Sequence, residues 1–348
     1  MRRIAIYTAQ IFQTILNVSF LAILFTGLLI GANFFIAQSF AQTVSALPPE
    51  PAYCKNLTTL TCQEETYASR KQSILEYSGR CLKDETAKAE GDFLTSIAMI
   101  EGKVLKDPNA FKVFFDEVKN TLISAMESES ALSAAKKNEF RTRLKSLRWL
   151  SAVDHIKMGG VEEFKKTCGE SGLEENASYT VFASGAHYVV VCPGRFIAAM
   201  EKSTGCYSPT LNLASMIYTL SHEIGHSIGG NFFTFDSKNR NWIKSDDSSY
   251  LGFQSCMMEK FSEFQLKDYG EASADYWASK AMARYFEKNS KLSHELTFKS
   301  TMAGLCGTSE TSRHLPGNVR IQDLIGGQIE LRTQLGCLNQ KLGRSCQI

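Results

Sequence analysis

His222-Glu223-Ile224-Gly225-His226 is the part of the chain most suited to chemistry. Side chains four apart on a helix share one face, so His222 and His226 can present two imidazoles to a single zinc ion. Glu223 lies about 100° round the same helix, where it could act as general base toward a water on the metal. The chemistry this spacing suits is hydrolysis of a peptide bond.

The flanking residues predict the required helix. Ser208 is a suitable N-cap and Pro209 suits the first helical position, where its missing N–H costs nothing. Leu213, Ile217, Leu220, Ile224 and Ile228 then recur at helical spacing as a face fit for burial, and Gly229-Gly230 are a plausible end. Catalytic zinc takes three protein ligands and keeps a fourth position open. Downstream, Gly270-Glu271-Ala272-Ser273-Ala274-Asp275 enters a second helix-prone run, again with two carboxylates four apart. Glu271 can complete a His-His-Glu set holding one Zn²⁺ per chain. Asp275 can accept the spare N–H of a ligand histidine and fix its tautomer.

Together these segments resemble the gluzincin metallopeptidases, whose third ligand is the glutamate of an ExxxD motif. Arg313-His314-Leu315-Pro316-Gly317-Asn318-Val319-Arg320-Ile321 sharpens the likeness, being similar to the H-x-P-G-x-x-R segment of neprilysin and endothelin-converting enzyme relatives. Weaker likenesses occur in order at Leu147-Arg148-Trp149-Leu150, Asn176-Ala177-Ser178-Tyr179, 188–194 and Gln254-Ser255-Cys256-Met257, so that the match runs with gaps from about residue 138 onward. The resemblance implies that His314 and Arg320 contact substrate and stabilise the oxyanion. It also implies that Asn176 and Ala177 bind substrate backbone beside an edge strand. It further implies a Cys256–Cys346 disulfide, with Cys306 and Cys337 reaching back to Cys54, Cys62 and Cys81. Cys168, Cys192 and Cys206 have no clear counterpart in the family.

Two departures stand out. The family carries an aspartate three residues after its second ligand histidine, whereas this chain has Gly229, leaving Asp236 as one candidate to support His226. The large helical domain that roofs the family's catalytic chamber is also much reduced here, so a restriction to small peptides does not carry over.

Residues 4–49 lack charged side chains, and the strongly apolar stretch 15–36 follows Arg2 and Arg3. That pattern suits a signal peptide cleaved after Ala41 or a retained single-pass anchor, and either exports the remainder. Ten cysteines, an even number, suit disulfides in that compartment. The formal charge of +2 falls to zero without Arg2 and Arg3, and no basic stripe suggests nucleic acid. Apolar spacing predicts helices over 92–104 and 110–126, with Pro108 between them, and the β-branched, aromatic stretch 176–191 predicts a small sheet.

The expected architecture is α+β, mainly α: a leader or anchor over 1–41, a disulfide-tied helical region over 42–160, and a thermolysin-like zincin lobe with a small β-sheet over 161–348. The expected function is that of an extracytoplasmic zinc metalloendopeptidase acting on peptide or protein substrate. His222, His226 and Glu271 would hold the metal, with catalytic roles for Glu223, Asp275, His314 and Arg320. No other cofactor is indicated. The alternative is a slow or inactive neprilysin-like binding or assembly protein outside the cytoplasm. A membrane-associated gluzincin of another family is disfavoured by the single apolar segment and the C-terminal His-Pro-Gly-Arg stretch.

Overall fold

The structure, a computed structural model, describes residues 50–63, 67–83, 92–182, 186–200, 206, 210–229, 231–236, 241–246, 248–264, 269–337 and 346–348. The expected leader and anchor, Ser208, Pro209 and Gly230 lie outside these residues. Within the unit Pro51–Ile348, the architecture is mainly helical with a small three-stranded sheet.

Short helices α1 (Leu57–Cys62) and α2 (Tyr67–Cys81) lead into α3 (Phe93–Val104), α4 (Pro108–Ser128) and α5 (Ala134–Ser146). Local chemistry sets these starts. Asp92 accepts from the N–H groups of Leu94 and Thr95, Ser133 from Lys136, and Asp107 from Ala110 with Pro108 in the first turn. Strand β1 (Arg148–Leu150) follows, then α6 (Ala152–Gly159), α7 (Val161–Cys168), β2 (Ala177–Val181), β3 (His187–Val191) and α8 (Pro193–Ala198). The sheet order is β1-β3-β2. Strand β3 is parallel to β1 and antiparallel to β2, so β2 is an edge.

Helix α9 (Ile217–Gly225) carries the His-Glu-x-x-His segment and packs on β2, on α4 and on α11 (Gly270–Lys288). Its start differs from the sequence expectation. Leu211 forms a β-bridge with Met200, and a 3₁₀ turn over Leu213–Met216 precedes the α-helix. The tertiary pairing of Leu211 holds that stretch extended, so α9 does not run continuously from position 209. The far end is also earlier, because α9 closes at Gly225 with His226 as its cap residue. His226 still donates its N–H to the His222 carbonyl at 3.2 Å, which keeps the two rings on one face.

Helix α11 is the axis of the unit, with every residue from Gly270 to Ser279 buried. Its small residues allow close approach. A Cβ on Gly225 would lie 3.2 Å from the Ala274 carbonyl, and Trp277, Tyr276 and Phe286 fill the space along the rest of the helix. The hairpin of β4 (Asn231–Asp236) and β5 (Asn241–Asp246), then α10 (Leu251–Lys260), α12 (His294–Met302), a π-helical stretch over Arg320–Ile325 and α13 (Ile329–Gln334) complete the chain. Residues on both sides of position 160 share one apolar core, which joins Phe111, Phe115 and Leu122 of α4 to Leu220, Trp277 and Ile325.

All ten cysteines are paired: Cys54–Cys337, Cys62–Cys306, Cys81–Cys206, Cys168–Cys192 and Cys256–Cys346. The Cys256–Cys346 bridge and the two bridges from Cys306 and Cys337 agree with the resemblance. Cys81, Cys168, Cys192 and Cys206 complete the set. Five bridges with no free thiol belong to an oxidising, extracytoplasmic environment. No described helix is long and apolar enough to cross a membrane.

The side chain of Glu175, just before β2, is enclosed between Arg70 of α2 and Arg195 of α8, and Arg70 Nε lies 2.9 Å from its Oε2. Burial works to raise the Glu175 carboxyl, but the two guanidinium charges outweigh it and hold it below the usual carboxylate range. A lowered carboxylate contributes stability that is complete above its unfolded pKa of about 4.3 and is lost as pH falls through the folded value. Glu175→Gln should therefore cost about 3–5 kcal/mol near neutral pH, as expected for one partner removed from a buried pair. The gap from wild type should close on acidification. Thermal melts of both proteins from about pH 7 to pH 3 test this, and a gap that does not change with pH would refute it.

Candidate metal centre and active site

Helix α9 and the first turn of α11 bring the two sequence motifs together. Oε2 of Glu271 lies 3.1 Å from Nε2 of His222 and 3.4 Å from Nε2 of His226. The two imidazoles stand edge to face, with centroids 4.8 Å apart. Tetrahedral zinc with bonds of about 2.0–2.1 Å to nitrogen and oxygen spaces its ligand atoms about 3.3 Å apart. The donor types, and the spacing of Glu271 from each histidine, fit such an ion.

The second layer is uneven. On the His222 side, Nδ1 donates to Oδ1 of Asp275 at 2.8 Å, as expected from the four-residue spacing, leaving Nε2 to face Glu271. Asp275 is nearly inaccessible and has further partners. The hydroxyl of Tyr218 donates to its Oδ1 at 2.6 Å, and Arg320 donates from Nε to Oδ2 at 2.8 Å and from Nη2 to Oδ1 at 2.9 Å. Burial works to raise Asp275, but the charge of Arg320 and the hydrogen bond from His222 hold it well below the usual range. Likewise, burial works to lower His222, yet its bonds to Asp275 and Glu271 hold it up at about 10. A metal at Nε2 must displace that proton, while Asp275 keeps the other proton on Nδ1.

His226 has a plainer setting. Among the described residues the only polar partner of its ring is Glu271, and the Tyr179 ring lies 6.4 Å from it, centroid to centroid. A side chain at position 229 requires the Ser273 hydroxyl to turn away. A Cβ on Gly229 would lie 2.8 Å from Oγ of Ser273, where α9 ends against α11. Asp236 ends β4, and its side chain lies outside the described residues.

Glu223 sits where the edge strand meets α9. Cys192 donates to the Asn176 carbonyl and Phe182 to that of Ala186, so even-numbered residues of β2 bond to β3 and odd-numbered residues face outward. The outward N–H of Tyr179 donates to Oε2 of Glu223 at 3.0 Å. Burial pushes the Glu223 carboxyl up, partly offset by the charges of His222 and His226.

Of the remaining candidates, His314, Arg320 and Asn176 line one groove with His222 and Glu223, and Ala177 does not. Nε2 of His314 lies 3.0 Å from Oε2 of Glu271. Arg320 is buried and commits Nε and Nη2 to Asp275 and Tyr218, while Nη1 has no partner among the described residues. Asn176 turns its carboxamide into its own loop, donating to the Thr167 carbonyl at 2.8 Å and accepting from the Ala177 N–H at 2.9 Å. The contribution of this segment to the groove is thus its backbone, with Ala177 at an outward position of β2.

Sequence reasoning missed Tyr218 and Arg313. Tyr218 stands four residues before His222, so its place on the metal-facing side was legible in the helical spacing. Arg313 reaches Oε1 of Glu271 at 2.9 Å, a contact that no local pattern announces. No protein-family model matches the chain, and no curated protein matches it.

Proposed function

We propose that the chain is an exported zinc-dependent metallopeptidase of the neprilysin type, with a thermolysin-like catalytic lobe. The observation that carries this reading is the convergence of His222 and His226 on Glu271 at ligand spacing, with Glu223 beside them and bonded to the edge strand β2. His222, His226 and Glu271 would hold the ion. When bound, zinc supplies a Lewis acid that polarises a carbonyl and lowers the pKa of water.

The chain's own residues supply the rest. The Ala177 and Tyr179 N–H groups are held by Asn176 and Glu223, so an extended peptide would pair with the outward carbonyls of β2, which gives affinity for backbone with little demand on side chains. Glu223 takes the proton of the attacking water and delivers it to the leaving amine, a role that its upward-shifted carboxyl suits. His314 and Arg320 line the groove, where they would serve as donors for the oxyanion. Asp275 fixes His222 and Arg320 at once, so ligand and donor share one buried carboxylate.

The test is metal content by mass spectrometry together with cleavage of a mixed peptide library by the zinc-loaded full-length protein. The expected outcome is one zinc per chain and cleavage at internal bonds, both abolished by chelator and restored by zinc. Zinc bound without cleavage would favour the binding or assembly protein instead, and absence of bound zinc would sink both readings.

A further inference from the structure

His314 lies in a turn organised by Thr311. The Thr311 hydroxyl oxygen accepts the backbone N–H of Arg313 at 3.2 Å and that of His314 at 2.9 Å. The Thr311 N–H in turn donates to the His314 carbonyl at 3.0 Å. A hydroxyl offers two lone pairs and one proton, and the two N–H groups occupy the lone pairs. What remains for Nδ1 of His314, 3.3 Å away, is the hydroxyl proton. Nδ1 is thereby made an acceptor, and a neutral ring that accepts at Nδ1 carries its proton on Nε2.

The other end of the ring agrees. Nε2 points at Oε2 of Glu271, an ionised carboxylate oxygen that can only accept. A metal-ligating histidine has the reverse wiring: a bare Nε2 toward the metal and an Nδ1–H donated to an acceptor, as His222 has with Asp275. The contrast matters because one donor atom each from His222, Glu271 and His314 lie within 4.8 Å of one another, close enough for His314 to be taken for a ligand.

We propose that Thr311 is a positioning residue that holds His314 as the neutral Nε2–H tautomer, making it a hydrogen-bond donor to substrate and not a metal ligand. The donor role rests on the metallopeptidase reading; the tautomer does not. Long-range ¹H–¹⁵N correlation on full-length protein labelled with ¹⁵N-histidine, recorded with and without zinc, reads the tautomer directly. The His314 signals are identified by their loss in His314→Gln.

The expected result is a protonated Nε2 and a bare Nδ1 in both states. Thr311→Ser, which keeps the hydroxyl, should retain this pattern, whereas Thr311→Val should lose it. With a cleaved peptide, Thr311→Val should lower kcat toward the about 100-fold loss expected when an oxyanion donor is removed, with zinc content unchanged. A bare or zinc-shifted Nε2, a doubly protonated ring, or a Thr311→Val spectrum matching wild type would overturn the proposal. Failure of the wild type to cleave any peptide would count against the peptidase reading alone, and the spectra would still decide the tautomer.

Discussion

Glu223→Gln is expected to retain zinc at the wild-type level while kcat falls by about 10²–10⁴-fold, the range associated with a positioned acid–base group. The substitution isolates proton transfer. Glutamine has nearly the same shape, and its carbonyl oxygen can still accept the Tyr179 N–H that holds the side chain against β2. It cannot take a proton from water. The three proposed ligands belong to other residues, so metal content measured on the same sample separates chemistry from folding. Unchanged turnover would refute the proposed mechanism. Loss of zinc together with activity would instead make Glu223 part of the metal's support.

The second large effect is expected at Asp275. Replacement by alanine leaves buried Arg320 without its carboxylate and His222 without an acceptor at Nδ1. An uncompensated buried charge costs about 3–5 kcal/mol, which a shift in the denaturant midpoint would report. Loss of the group that orients a ligand histidine typically weakens metal binding by about 10–100-fold, measurable by chelator competition. The two losses can be separated. Asp275→Ala combined with Arg320→Ala should regain part of the stability, because the orphaned charge is gone, but none of the zinc affinity. A double variant that regains zinc affinity would refute the link between Asp275 and the metal.

What the sequence revealed was mostly local. His222 with His226, and Glu271 with Asp275, are each set by a four-residue spacing on one helix, so the turn alone brings them to one face. The fit between those faces depends on small residues, and Gly225 and Gly229 against Ala274 and Ser273 have meaning only once α9 lies on α11. Strand β1 has three residues, too few for any periodicity, and exists because it pairs with β3. The Arg70, Glu175 and Arg195 cluster joins three segments whose pairing no stretch of sequence contains. The start of α9 departs from the cap signal because Leu211 pairs across to Met200, and a cap signal says nothing about such a partner.

The Cys54–Cys337 bridge links the start of the folded unit almost to its end. A backbone cut at any bond between those two cysteines therefore leaves the molecule in one covalent piece. Fragments separate only after reduction. That closed circuit turns a nick from a severing event into a local scar. The parts of the site, at positions 222 and 271 and again at 314 and 320, all lie inside the circuit, so none can drift away from the others after a single cut.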